Sequence, residues 1–171
     1  MLMSHITGCV AAVESLRLHE AAYEAACDVM AAALGGGRKI LACGNGGSAA
    51  DSGHFTTELL CRFINDRASL PAISLAQDGG FLTATGNDYG FEHIFSRQVE
   101  GLGQAGDVLV AITTSGNSAT VVAAWRVARA RACANRGLRM RKDIGGWQVR
   151  FDAQQRERYV AQGIWLDRTV A

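Results

Sequence analysis

Short unbroken apolar runs alternate with stretches of helical spacing along most of this chain. The runs cover residues 39–43, 71–75 and 107–113, and runs of this kind are typical of strands buried on both faces of a parallel sheet. Helical spacing follows at residues 48–63 and 119–131. Strands that alternate with helices imply right-handed crossovers and therefore predict an α/β fold with a parallel sheet.

An amphipathic helix is expected before the first strand. Apolar side chains recur at spacings of three, four or seven from Val13 to Leu34, and three glycines at residues 35–37 end the pattern. The sequence therefore predicts one helix over residues 9–34, packed outside the sheet. Its alanine-rich surface suits close packing on another helix, either of this chain or of another subunit.

Further elements are indicated by glycine turns and by alternation. Residues 81–85 are apolar and flanked by glycines, which favours a short helix over a central strand. Residues 91–101 have helical spacing, and the glycine-rich stretch at 86–90 before them is typical of a turn. Alternation around a glycine pair predicts a β-hairpin over residues 138–151.

Two of the strands end in turns of small polar residues that open helices. The first turn, residues 44–48, reads GNGGS, and the second, residues 113–118, reads TTSGNS. The carboxyl ends of parallel strands meet at one edge of the sheet, so we expect the two turns to lie together where ligands bind. Four hydroxyls and the N–H groups at a helix start suit a phosphate, and the absence of lysine favours a sugar phosphate. Simple helix capping by one serine or threonine is the structural alternative.

His54 and Glu58 lie four residues apart on the helix that follows the first turn. A carboxylate beside a bound sugar can move a proton between adjacent carbons, and the pair can equally supply two ligands of a metal site. A surface pair or a core histidine is the structural alternative. Asp88, in the glycine-rich stretch, suits either a helix cap or a hydrogen bond to a sugar hydroxyl.

Composition narrows the class of protein. The chain has 171 residues, of which 49% are hydrophobic and 19% are charged, as expected for one globular domain with a buried core. No apolar run approaches the ~20 residues of a membrane helix, and no secretory leader pattern opens the chain. Five cysteines without CxxC spacing favour reduced, buried thiols in a cytoplasmic protein.

Charge is distributed unevenly along the chain. Residues 1–125 carry six basic and twelve acidic side chains, whereas residues 126–171 carry eleven and four. We therefore expect one domain over residues 1–131 and a divergent basic segment over residues 132–171, either a truncated or an altered end of the same domain. Nucleic-acid binding through this segment would rest on charge alone, and a solvated basic face is the more common explanation.

Taken together, the motifs resemble the sugar isomerase (SIS) domain and, within it, the phosphoheptose isomerases. The similarity extends over about residues 10–130, in order and with natural spacing. The matching pieces are residues 43–51 (CGNGGSAAD), 54–63 (HFTTELLCRF), 86–91 (GNDYGF), 94–97 (IFSR), 106–109 (GDVL) and 114–118 (TSGNS).

The resemblance implies a three-layer αβα sandwich of flavodoxin-like topology and a cytoplasmic homotetramer with active sites between subunits. It implies an isomerase that interconverts sedoheptulose 7-phosphate and D-glycero-D-manno-heptose 7-phosphate through an enediol. Glu58 would be the acid/base, and His54 with Glu58 would form half of a zinc site. The resemblance places further residues on the substrate: Ser48, Thr113, Thr114, Ser115 and Ser118 on the phosphate, Asn45 and Asp88 on the sugar, and Gly46, Gly47 and Arg62 as additional contacts.

The family pattern is lost after about Arg131. Family members continue with a glycine-rich loop and a last helix whose Gln and His complete the metal site, the His being the second acid/base. In this chain all four histidines precede residue 94, and Gln154, Gln155 and Gln162 do not match the pattern. The break indicates a truncated or fused reading frame or a true divergence. It leaves a second hypothesis, a non-catalytic SIS-domain protein that binds a sugar phosphate or another protein, as relatives that bind the replication initiator do.

Overall fold

The computed structural model describes residues 2–143 and 146–151 and, apart from Ala12, their side chains as far as Cys133. Helices and strands alternate along this part of the chain. The helices are α1 (Leu2–Ser15), α2 (Glu20–Gly35), α3 (Gly47–Leu60), α4 (Gly79–Asp88), α5 (Ser96–Leu102) and α6 (Ala119–Ala130). The strands are β1 (Ile40–Gly44), β2 (Ala72–Ser74), β3 (Val108–Thr113), β4 (Ala134–Asp143) and β5 (Gly146–Phe151).

The strands form one sheet in the order β2-β1-β3-β4-β5. The first four run parallel, in agreement with the expected flavodoxin-like topology. The fifth, β5, is antiparallel to β4. The register of β1 on β3 pairs Ile40 with Val108 and Gly44 with Ile112, so both strands end at the same level.

Helices cover both faces of the sheet, as predicted for a three-layer sandwich. Leu41 of β1 and Leu109 of β3 face a core shared with α5 and α6, whereas Ile40 and Val108 face a second core with α2 and α3. Successive residues of a strand point to opposite faces. This alternation explains why the strands read as continuous apolar runs: both of their faces are buried.

An ion pair joins the two central strands at the opposite, amino-terminal edge of the sheet. The Lys39 Nζ lies 2.6 Å from the Asp107 Oδ2. The Asp107 carboxylate also accepts hydrogen bonds from the backbone N–H groups of Lys39 and Gln104, at 3.1 and 2.8 Å. Because Asp107 is only 1% exposed, its charge is balanced within the protein rather than by solvent.

The prediction of one helix over residues 9–34 was wrong. The structure has two helices, α1 and α2, joined by a 3₁₀ turn at Leu16–His19. The backbone leaves helical geometry at His19, whose φ is −119° and ψ 11°, and Ser15 and His19 are weaker helix formers than the alanines around them. The expected stop is confirmed, since α2 ends at Gly35, and α1 lies outside the central strands, beside the edge strand β5.

The region between β2 and β3 also differs from its prediction. The helix expected at residues 81–85 is confirmed but runs over all of α4, because the Asp78 side chain accepts from the Phe81 N–H at 2.9 Å and caps it. The predicted turn is therefore confined to Tyr89 and Gly90, where the Gly90 φ is +96°. The helix expected at residues 91–101 is a 3₁₀ turn (Phe91–His93) followed by α5.

The predicted hairpin over residues 138–151 is confirmed by the pairing of β4 with β5, from Asp143 opposite Gly146 to Leu138 opposite Phe151. In addition, β4 pairs with β3, from Val108 opposite Ala134 onward. The expected domain boundary after residue 131 stays a prediction. Gln154, Gln155 and Gln162 lie outside the described residues. In the part of the chain that is described, no helix is both long and apolar enough to cross a membrane.

Candidate functional site

The two polar turns lie side by side at the carboxyl edge of the sheet, as the sequence predicts. The first follows β1 and the second follows β3, its neighbour in the sheet. A direct hydrogen bond joins them: the Asn45 Nδ2 donates to the Ser118 Oγ at 2.8 Å. The same amide nitrogen donates to the Thr120 Oγ1 at 2.7 Å. The two turns therefore form one polar surface rather than two separate loops.

Glycine is required where the first turn passes from β1 into α3. A Cβ on Gly44 would lie 2.6 Å from the backbone oxygen of Ser48, so only glycine allows the helix to start this close to the strand. Gly46 has a φ of +57°, in the region that glycine adopts without strain. The Ser48 side chain is buried, and its N–H donates to the Asn45 carbonyl at 3.0 Å.

The second turn is held by its own hydroxyls. The Thr113 Oγ1 accepts from the Gly116 N–H at 3.3 Å, and the Ser115 Oγ accepts from the Asn117 N–H at 3.1 Å. Thr113 is buried, whereas Thr114 and Ser115 are exposed. Ser118 occupies the capping position of α6 but makes no capping hydrogen bond. Helix capping therefore does not explain Ser118, whose hydroxyl faces Asn45 and Thr120 instead.

Thr120 is a member of this cluster that the sequence did not predict. Its hydroxyl lies 2.9 Å from the Ser118 Oγ, and the residue is 3% exposed. A threonine inside a helix normally indicates nothing more than a packed β-branched side chain. The sequence feature that could have indicated its role is its position two residues after Ser118, in the first turn of α6.

His54 and Glu58 lie on α3, whose first turn carries Ser48. The His54 Nε2 is 3.0 Å from the Glu58 Oε1, with the two side chains 59% and 23% exposed. Ten residues of helix separate Ser48 from Glu58, which is about 15 Å along the axis. Arg67 holds the end of this helix, because its guanidinium donates to the backbone oxygens of Glu58 and Leu59 at 2.6 and 2.8 Å.

Arg62 and Asp88 are not brought into contact with the turns. The Arg62 Nη1 donates to the Ile64 oxygen at 3.3 Å. The Asp88 Oδ1, at the end of α4, accepts from the Asn87 Nδ2 at 2.7 Å. Both residues are exposed, and within the described ranges neither forms a hydrogen bond with the two polar turns.

Cys43 precedes the first turn and lies wholly inside the protein. Burial raises the pKa of its thiol to about 12, so the reactive thiolate is absent at neutral pH. Its side chain is part of the core beneath the turn. The polar groups of the site are thus amides, hydroxyls, a carboxylate and the imidazole of His54.

The residues available for a metal are His54 and Glu58. A structural or catalytic Zn²⁺ takes three or four protein ligands. Among the side chains that the structure describes, as far as Cys133, no group of three or more His, Cys, Asp or Glu could hold one. The described residues of one chain thus fit half of a zinc site and not a complete one.

Comparison with known proteins assigns this chain to a family. The model of the SIS domain family matches residues 6–135. The phosphoheptose isomerase of Campylobacter concisus is 52% identical over 115 residues, covering 67% of this chain and 61% of that protein. The phosphoheptose isomerase of Nitratiruptor sp. is 56% identical over 113 residues, covering 66% and 60%. The chain therefore spans about three fifths of the length of these relatives.

Solved structures agree with the sequence matches. A phosphoheptose isomerase from Francisella tularensis aligns with a TM-score of 0.73 and 37% identity, over 82% of this chain and 72% of that one. The enzyme of the same name from Neisseria gonorrhoeae aligns with a TM-score of 0.65 and 42% identity, over 85% and 78%. With the family model matching most of its described residues, the chain belongs to the SIS domain family.

Proposed function

We propose that this protein is a phosphoheptose isomerase that interconverts sedoheptulose 7-phosphate and D-glycero-D-manno-heptose 7-phosphate. The observation that carries the proposal is the hydrogen bond from Asn45 to Ser118, which unites two hydroxyl- and glycine-rich turns into one uncharged cradle. The names of the similar proteins support the same reaction. They favour an enzyme over the non-catalytic alternative.

In this proposal the phosphate lies between the two turns. Ser48, Thr113, Thr114, Ser115 and Ser118 donate through their hydroxyls or N–H groups. Gly46 and Gly47 offer backbone N–H groups at the start of α3, where the helix dipole favours a negative charge. Asn45 contacts the sugar. Arg62 and Asp88 remain further substrate-binding candidates on the resemblance alone.

Glu58 is the proposed acid/base. Its carboxylate removes a proton from C1 of the ketose while the C2 carbonyl oxygen takes up a proton from water, which gives an enediol. Glu58 then returns a proton to C2 as the O1 hydroxyl gives its own to water, and the aldose results. The distance of about 15 Å along α3 between Ser48 and Glu58 suits a substrate whose phosphate and reacting carbons lie at opposite ends of an open chain.

No step of this reaction is assigned to a metal. His54 and Glu58 would be the ligands that this chain contributes to a Zn²⁺, and a bound zinc would polarise the carbonyl oxygen. Because they make only half of a site in the described residues, the role assigned to Glu58 is that of a proton carrier. His54, 3.0 Å away, orients its carboxylate.

We also propose that the protein is a homo-oligomer. The resemblance to the phosphoheptose isomerases implies a tetramer. The supporting observation is an apolar stripe on α1 made of Met3, Ile6, Val10 and Val13, which are 45–71% exposed. Exposed stripes of this kind mark protein–protein contacts. A cytoplasmic location is proposed as well, because the five cysteines lie outside disulfides, as in proteins of reducing compartments.

The reaction is tested by incubating the purified full chain with sedoheptulose 7-phosphate and measuring formation of the aldose. We expect turnover by the wild type and a loss of about 10²–10⁴-fold in Glu58→Gln. Glu100→Gln is the matched control, since Glu100 is an exposed carboxylate on α5. A wild type that forms no aldose would contradict the proposal.

A further inference from the structure

The hydrogen bonds among Asn45, Ser118 and Thr120 form a closed triangle. Asn45 Nδ2 reaches both hydroxyls, at 2.8 and 2.7 Å, and the hydroxyls lie 2.9 Å from each other. Three hydrogen bonds need three protons. An amide nitrogen supplies two and each hydroxyl one, so the triangle uses three of four and leaves one hydroxyl proton over.

The same count fixes the orientation of the Asn45 amide. If its oxygen faced the hydroxyls, only two protons would serve three contacts, and one pair of oxygens would repel. The nitrogen therefore faces Ser118 and Thr120, and both of its N–H groups are used there. The Asn45 Oδ1 is then the atom of this amide that remains to accept from a ligand.

Burial decides which hydroxyl keeps the spare proton. Thr120 is 3% exposed, whereas Ser118 is partly exposed at the surface of the cradle. If Thr120 donates to Ser118, the Ser118 oxygen accepts two hydrogen bonds, from Asn45 and from Thr120. Its own proton is then directed away from the triangle, toward the space between the turns.

We propose that Thr120 is a positioning residue for ligand binding: its hydroxyl donates to Ser118 and so turns the Ser118 proton outward, onto an oxygen of a bound phosphate. This inference rests on the proposed function, in which Ser118 holds the phosphate. Thr120 touches no ligand itself. It makes Ser118 a committed donor before the ligand arrives, which avoids reorganising the hydroxyl on binding.

Two variants of Thr120 separate this role from simple packing. Thr120→Val keeps the shape of the side chain and removes the hydroxyl, whereas Thr120→Ser keeps the hydroxyl and removes the methyl group. We expect Thr120→Val to weaken the binding of sedoheptulose 7-phosphate about tenfold, the effect of one lost hydrogen bond. Thr120→Val should also raise KM by a similar factor and leave kcat little changed. Thr120→Ser should keep the binding affinity and the KM of the wild type. A packing role predicts the reverse, with the serine variant impaired and the valine variant normal.

Isothermal titration calorimetry with sedoheptulose 7-phosphate and with inorganic phosphate gives the decisive comparison. Thr85→Val, which removes a hydroxyl that is equally buried but lies on α4, is the control and should bind as the wild type does. In a Ser118→Ala background, Thr120→Val should weaken binding less than it does in the wild type, because the part of its effect that passes through Ser118 is already lost.

The outcomes distinguish this inference from the proposed function. A wild type that binds neither compound would overturn both. A wild type that binds, with Thr120→Val binding equally well, would overturn the role of Thr120 alone. A tenfold loss in Thr120→Val that persists undiminished in the Ser118→Ala background would also contradict it.

Discussion

At the scale of single residues, the cradle formed by the two turns depends on neutral residues whose positions are closely constrained. Asn45 spans two turns through one amide nitrogen, and Gly44 allows α3 to begin against the end of β1. Neither requirement involves a charged side chain. The geometry of the cradle is therefore set by close backbone approach and by hydrogen bonds.

Replacing Gly44 tests the close approach. In Gly44→Ala the new Cβ would meet the Ser48 backbone 2.6 Å away, and backbone atoms cannot move aside as a flexible side chain would. We expect the free energy of unfolding to fall by about 1–3 kcal/mol, measured by urea denaturation. Gly35→Ala is the control, because a Cβ there meets nothing within 4 Å and the change should be neutral or stabilising. Equal stability of the two variants would contradict the close approach.

Residue chemistry also shows how far the sequence could predict the site. The joining of the two turns was predictable, because parallel strands place their carboxyl ends together. The part played by Thr120 was not predictable, because it depends on the direction of the Asn45 side chain, which comes from the other turn. Arg62 and Asp88 were placed by resemblance, and they bond to Ile64 and Asn87 in this chain.

At the scale of elements, hydrophobic spacing and turn residues predicted those helices and strands that depend on neighbouring residues in the sequence. The strands β1 and β3 read as continuous apolar runs because α-helices cover both of their faces. The division between α1 and α2 was missed because an apolar spacing continues across the 3₁₀ turn at Leu16–His19. The antiparallel direction of β5 relative to β4 followed from the predicted hairpin, whereas the pairing of β4 with β3 depends on the whole sheet.

The Lys39–Asp107 pair links the strands β1 and β3, and its contribution depends on pH. Burial is the largest single influence on Asp107 and raises the pKa of its carboxyl. The hydrogen bonds and charge of Lys39, with the N–H of Gln104, outweigh it and lower the pKa below its ordinary value. A carboxyl with a lowered pKa in the folded state stabilises the fold above its unfolded pKa of about 3.9. That contribution is lost as the pH falls through the folded-state pKa.

Asp107→Asn should therefore cost about 3 kcal/mol of unfolding free energy at pH 7 and less in acid. The measurement is urea denaturation at pH 7 and at pH 3. Asp66→Asn, which changes an exposed carboxylate in the connection before β2, is the control and should have little effect at either pH. A cost for Asp107→Asn that does not diminish in acid would contradict the ion-pair explanation.

At the scale of the whole molecule, α1 leaves a stripe of apolar side chains exposed to solvent. Its stripe is exposed although the helix lies beside the edge strand β5. A second copy of the chain is the proposed partner, since the resemblance implies a tetramer with sites between subunits. Oligomerisation would also bury apolar area that a single chain leaves in water.

Light scattering during size-exclusion chromatography measures this directly. We expect the wild type to elute as an oligomer and Val10→Asp to lower its mass, because a carboxylate in an apolar interface loses its hydration. Ala11→Asp is the matched control, since Ala11 lies about 100° around the same helix and is exposed as well. A monomeric wild type would contradict the proposal, as would equal masses for Val10→Asp and Ala11→Asp.

The central claim, isomerisation of a heptose phosphate through an enediol with Glu58 as the proton carrier, is tested most directly by NMR in D₂O. A carboxylic acid exchanges its proton with solvent, so the aldose formed by the wild type should carry deuterium at C2. Formation of this product should fall about 10²–10⁴-fold in Glu58→Gln and stay unchanged in Glu100→Gln. Aldose that forms at an equal rate in the wild type and in Glu58→Gln would contradict the account.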